Sequence, residues 1–256
     1  MTERKNKSME NYAVFDTETT SLDKPFCYNI GYLIFNEQGV LVKRDFVVDQ
    51  IWSNLPLFQS AYYADKREIY ISRMRARSVI REKFGYICSQ MRRDFARFEV
   101  KRAFAYNSSF DDRVFQYNCD WFKCINPFDD IKIVDIRGFV HQFLISNEFK
   151  GFCEKYERFT ENGNYSTTAE TVYQFINDKA DFEEEHTALS DSIIEYEILR
   201  HCLSLGANIN NEYEVKFSIP RNVIKTLTLI SADNEEYEFK YEKIRINKER
   251  TKIVMK

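Results

Sequence analysis

The chain has 256 residues, of which 44% are hydrophobic and 16% aromatic, and its formal net charge is −3. That length and apolar content suit one large globular domain, or one domain with a small appendage, and intrinsic disorder is not the default reading. Seven glycines without a Gly-rich cluster exclude a P-loop or a dinucleotide-binding turn, so any phosphate chemistry must rest on metal ions and basic side chains.

The N-terminus, MTERKNKSMEN, is polar and lacks the apolar core of a signal peptide. No apolar run approaches the ~20 residues that span a bilayer, so a soluble, cytoplasmic protein without a membrane partner is expected. Tyr12–Asp16 (YAVFD) and Asn29–Phe35 (NIGYLIF) read as buried strands. Val40–Val48 reads as a third strand, hairpin-paired with the second across Gly39. Asp49–Arg67 is irregular and aromatic. Ser78–Phe98 has helical periodicity, with Ile80, Phe84, Ile87, Met91, Phe95 and Phe98 facing inward.

Arg102–Tyr106 is the next buried strand, followed by a helix over Ser109–Tyr117 capped by Ser108 or Ser109. Ile131–Ile136 is a fifth strand that leads into a helix ending near Leu144. A polar loop at Glu161–Tyr165 precedes a short helix at Thr168–Ile176. Thr187–Leu203 is an amphipathic helix. The tail from about Asn208 alternates over Thr226–Ser231 and Tyr237–Ile246, with a further strand at Thr251–Met255 and turns at Ala232–Glu235 and Asn247–Glu249. The pattern is α/β with a mixed sheet, which divides the chain into 1–206 and a small β-rich appendage at 207–256.

The six cysteines form no C-x-x-C pair, and the Cys119/Cys124 spacing has no matching second pair. Reduced, buried thiols in a reducing compartment are expected rather than a zinc site. Between Lys66 and Arg102 there are twelve Lys/Arg against four Asp/Glu. This basic stretch is either a solvated helix face or a phosphate-tracking surface. Within the wider segment 49–77, Tyr62, Tyr63, Tyr70, Arg73, Arg75 and Arg77 mix rings with cations. The mixture suits either single-strand binding or a packed aromatic loop.

Three short patterns carry chemistry. Asp16 and Glu18 stand at i and i+2 at a strand end, which places both on one face about 7 Å apart along the backbone. Like charges so close are costly unless cations bridge them, and Mg²⁺ or Mn²⁺ prefer such oxygen ligands. Asn107-Ser108-Ser109-Phe110-Asp111 also follows a buried strand; Asp112 competes with Asp111, but a helix turns it ~100° away. His186 precedes Asp191, which falls in the first turns of the amphipathic helix.

FDTETT, then N-x-x-F-D, then H-x-x-x-x-D, in that order over roughly Tyr12–Leu203, resembles the DEDDh 3′→5′ exonucleases. That family includes replicase proofreading subunits and ribonuclease T-like enzymes. Its tyrosine-bearing relatives carry that residue four before the last Asp, where this chain has Thr187. The resemblance implies a ribonuclease H-like, five-stranded mixed sheet flanked by helices. It implies two divalent cations, Mg²⁺ or Mn²⁺, on Asp16, Glu18, Asp111 and Asp191, with His186 as general base. It places Thr19, Leu22, Asn107 and Phe110 at the substrate. The implied partner is nucleic acid with a free 3′ end, single-stranded DNA or a frayed end first. A polymerase or replisome partner goes with a proofreading role. The competing expectations are a 3′→5′ exoribonuclease and a nucleic-acid-binding replisome accessory whose nuclease activity is secondary.

Overall fold

The computed structural model describes residues 10–221, 223–230, 236–247 and 250–255, the last three ranges as backbone. The N-terminal nine residues and the turns expected near 232–235 and 248–249 lie outside them. Among the described residues no helix is long and apolar enough to cross a membrane.

Strands β1 (Tyr12–Thr19), β2 (Cys27–Asn36) and β3 (Gly39–Val48) form an antiparallel meander. Gly39, at φ 132°, takes a turn conformation closed to L side chains. Four short helical pieces follow: α1 (Asp49–Trp52), α2 (Leu55–Gln59), a 3₁₀ turn at Ala64–Lys66, and α3 (Arg67–Arg75). They lead to β4 (Ile80–Glu82) and α4 (Phe84–Arg97). Next come β5 (Arg102–Ala105), α5 (Ser108–Phe122), β6 (Lys132–Asp135), α6 (Ile136–Phe143), α7 (Asn147–Lys155), α8 (Ala169–Ile176) and α9 (Ala188–Ser204).

The sheet has the order β4-β3-β2-β1-β5-β6, with β5 parallel to β1 and β6 parallel to β5. Helices cover both faces. Along β1 the side chains alternate between two layers. Ala13 and Phe15 enter one with Phe84, Met91 and Phe115. Tyr12 and Val14 enter the other with Phe139, Val172 and Ile198.

The fold class is the α/β arrangement expected, with six strands where five were expected. The extra strand comes from the segment read as one helix over Ser78–Phe98. Ile80 pairs with Phe46 at the sheet edge and is 47% exposed, and Lys83 is extended at φ −69°, ψ 142°. The helix therefore starts only at Phe84, whose N–H donates to Gln50 Oε1 at 3.0 Å. The α5 cap also differs from expectation. Asn107 in the left-handed region (φ 65°) caps that helix, and Ser108 is its first residue. Asparagine tolerates that conformation better than serine does. Helix α7, capped by Ser146, had no clear sequence signal.

Past α9 the chain packs back on the domain. The Tyr213 ring meets Phe139 at 4.8 Å and Phe143 at 5.1 Å, and Lys216 N–H donates to His141 Nδ1 at 2.9 Å. Beyond it β7 (Val223–Ile230), β8 (Glu236–Asn247) and β9 (Arg250–Met255) form a separate three-stranded antiparallel sheet, the small β appendage of the sequence reading.

Candidate active site

The end of β1 and the start of α9 meet because of two residues on β2. A Cβ added to Gly31 would stand 2.1 Å from the backbone nitrogen of Leu189, so only glycine lets α9 lie this close to the sheet. Asn29, fully buried, accepts from Ala188 N–H through Oδ1 at 2.8 Å and satisfies one of the orphan donors at the helix start. Ser192 Oγ donates to Gly31 O at 3.1 Å one turn later.

That docking carries Asp191 to β1. Carboxylate oxygens of Asp16, Glu18 and Asp191 all lie within 4.8 Å of one another. The i, i+2 spacing on β1 does what strand geometry requires and turns both acids toward α9. Strand β1 then slips register against β2 between Glu18 and Thr19, which ends the face there. The fourth acid arrives from α5. Asp111 is 2% exposed and accepts from Thr17 Oγ1 at 2.7 Å, whereas Asp112 is exposed.

Electrostatics mark the cluster as strained. Burial first, opposed by the Thr17 backbone N–H, pushes the Asp16 carboxyl up to about 7. Burial, then the charges of Asp16 and Glu184, push Asp191 up to about 9. Burial and then Asp16 also raise Glu18 and Asp111 well above the carboxylate range, and Glu18 hydrogen-bonds Asp191. The protons held here answer the loss of solvation first and, at Glu18, Asp111 and Asp191, the neighbouring like charges second.

Two acids were not singled out from the sequence. Glu195 lies one helical turn after Asp191, is 4% exposed and is raised by burial and then by Asp16 and Asp111. Its signal was a glutamate within the apolar stripe of α9. Glu184 is pushed up to about 7 by burial, then by Glu170 and Asp16. One oxygen each of Asp191, Glu195 and Glu184 is buried without a hydrogen-bond partner. Orphaned carboxylate oxygens, converging with oxygen donors only, fit hard divalent cations such as Mg²⁺ or Mn²⁺.

His186 stands beside the acids rather than among them. It sits at φ 55°, its ring stacked on Tyr63 at 4.3 Å and 12°, with Nδ1 3.8 Å from Glu184 Oε2. Burial, then Lys66, hold its pKa below the ordinary value, so the neutral ring prevails at pH 7. The Tyr63 hydroxyl is pushed up to about 12 by burial and then by the nearby Glu18 charge. The expected substrate residues differ in setting. Leu22 is 76% exposed, and Thr19 Oγ1 donates to Ser21 O at 3.2 Å. Asn107 is exposed, while Phe110 packs half-buried against the aromatic layer.

Of the ring-and-cation mixture, Tyr70 and Arg73 are structural. Tyr70 is fully buried and donates to Asn29 Oδ1 at 2.9 Å. Arg73 binds Thr187 Oγ1 at 2.9 Å and Glu185 Oε2 at 2.6 Å. Tyr62, 88% exposed, and the exposed Arg75 and Arg77 remain on the surface.

No protein-family model matches this chain, and no curated protein matches it in sequence. Among solved structures it is similar to E. coli Exonuclease I in complex with a dA16 oligonucleotide, at 12% identity and a TM-score of 0.46 over 74% of this chain and 40% of that one. A second E. coli Exonuclease I structure, with a 5cy-dT13 oligonucleotide, gives 15% identity and a TM-score of 0.49 over 74% and 39%. Exonuclease X in complex with 5′ overhanging duplex DNA gives 12% identity and a TM-score of 0.39 over 76% and 92%. The chain thus spans about two-fifths of the Exonuclease I chains it matches.

Proposed function

We propose that this chain is a 3′→5′ exonuclease. It hydrolyses phosphodiester bonds at free 3′ ends, single-stranded DNA or frayed ends foremost, and releases nucleoside 5′-monophosphates. The observation that supports this best is the convergence of Asp16, Glu18 and Asp191 within 4.8 Å, with Asp111 tied to the intervening Thr17. In this reading these four acids hold two divalent cations, Mg²⁺ or Mn²⁺. When bound, such cations supply Lewis acidity toward the phosphate and generate a nucleophile from water at neutral pH.

The chain's own groups do the rest. His186, kept neutral, accepts the proton of the attacking water at a ring nitrogen. Tyr63 holds that ring by stacking and limits its rotation. Thr19 and Leu22 are assigned to the terminal nucleotide, with exposed Leu22 offering an apolar surface to its base, and Asn107 and Phe110 to the bound strand. Residues 1–206 carry the activity, and 207–256 form the appendage against which a polymerase or replisome partner can be tested.

The test is degradation of matched 5′-labelled single-stranded DNA, double-stranded DNA and RNA, with and without Mg²⁺ or Mn²⁺. A metal-dependent ladder shortening from the 3′ end, fastest on single-stranded DNA, is expected. Faster loss of RNA would make the chain an exoribonuclease. Binding of all three without cleavage would overturn the enzyme reading in favour of an accessory module.

A further inference from the structure

The cysteine spacing in the sequence argued against a zinc site, but the fold brings in a third cysteine from another helix. Cys88 on α4, Cys119 on α5 and Cys124 just past α5 have Sγ atoms within 4.8 Å of one another. The Cys88–Cys124 pair is 4.0 Å apart. Lys123, left-handed at φ 53°, reverses the chain at the helix end, and Cys124 N–H donates back to Cys119 O at 3.1 Å. This turn folds Cys124 over Cys119. All six cysteines are free thiols.

We propose that Cys88, Cys119 and Cys124 form a thiolate site for a thiophilic divalent cation of the zinc class. Zn–S bonds of about 2.3 Å set sulfur separations of about 3.8 Å at tetrahedral angles, within side-chain adjustment of those seen here. Binding releases three thiol protons and leaves a net charge of −1 on the M(SR)₃ group. A monovalent soft cation would leave −2, a heavier cost in a site where Cys88 and Cys119 are 1% and 4% exposed. Cys124 is half-buried, so the fourth position opens toward water on its side. The ion clamps α4 to the far end of α5, eight residues or about 12 Å along the helix from Asp111. Its effect is therefore on stability, separate from the carboxylate cluster, whose oxygen donors favour harder ions.

Cd²⁺ and Co²⁺ titrated into the reduced full chain read the site directly, because thiolate-to-metal charge transfer absorbs in the ultraviolet and carboxylates give no such band. A band saturating at one equivalent is expected. It should vanish in Cys124→Ala and persist in the Asp16→Asn/Glu18→Gln chain. In the unaltered chain, one equivalent of Zn²⁺ should slow alkylation of Cys124 by tenfold or more. Absence of the band from the reduced wild-type chain overturns the proposal. So does its survival in Cys124→Ala, or alkylation of Cys124 at the same rate with and without Zn²⁺.

Discussion

Two buried polar groups of side chains lie on neighbouring strands of one sheet, and they are built in opposite ways. Around Asn29 every group finds a partner. Asn29 Nδ2 donates to Asp45 Oδ1 at 2.7 Å and to Phe46 O at 2.8 Å, while its Oδ1 accepts from Tyr70 and Ala188. Arg73 stands 3.9 Å from Asp45. Burial still pushes Asp45 up, but only to about 6, with Asn29 and then Arg73 holding it down. Around Asp16 the neighbours are further acids, and oxygens are left without partners. A saturated network fixes a helix on a sheet; an unsaturated one of single sign is stable only with something of opposite charge. The difference separates side chains that hold the fold from a cluster left with unpartnered oxygens.

The contrast breaks most sharply by mutation. Asp16→Ala should lower nuclease activity about a thousandfold or more, equivalent to roughly 4 kcal/mol of barrier, while the metal-free melting temperature stays level or rises because a repulsive charge is gone. Unfolding of this variant would move Asp16 into the structural group. His186→Ala should cost about 10²–10⁴ in rate, the range of a general base, with Mn²⁺ binding by calorimetry unchanged. A variant as fast as wild type would remove the histidine from the chemistry.

Asn29→Ala should act on the other side of the comparison. It orphans Ala188 N–H, the Tyr70 hydroxyl and Asp45 together, and a loss of about 3 kcal/mol in urea unfolding is expected. A smaller loss than that of Asp16→Ala would erase the distinction between the two networks.

The pH response sharpens it further. Asp16 and Asp191 titrate near 7 and 9 in the folded chain, against an ordinary 3.8. Between about 4 and 9 the folded state therefore holds protons that the unfolded state has released. Stability of the metal-free protein should fall as pH rises through that window. Saturating Mg²⁺ should flatten the slope, since ion binding expels those protons. Thermal melts at several pH values, with and without Mg²⁺, measure both. The smallest effect belongs to Asp112→Asn, where an exposed acid beside the cluster should leave rate and stability within about 0.5 kcal/mol of wild type.

Much of this was legible in the chain itself. The i, i+2 spacing of Asp16 and Glu18 put both acids on one face of β1, because the period of a strand is two whatever surrounds it. The placement of Asp111 near a helix start followed from the serines after the buried strand, and that of Asp191 from the apolar spacing of α9. Local periodicity could not show that Ile80 would leave its helix for a sheet edge, since pairing with Phe46 depends on a partner more than thirty residues away. Nor could it show that Gly31 and Asn29 would seat α9, that Glu195 would join the acids, or that Cys88 would complete a trio with Cys119 and Cys124. The types of group and their directions along each element came from short-range backbone geometry. Which of them meet, and whether their charges are answered, was decided only when the elements packed, because burial and proximity belong to the tertiary structure.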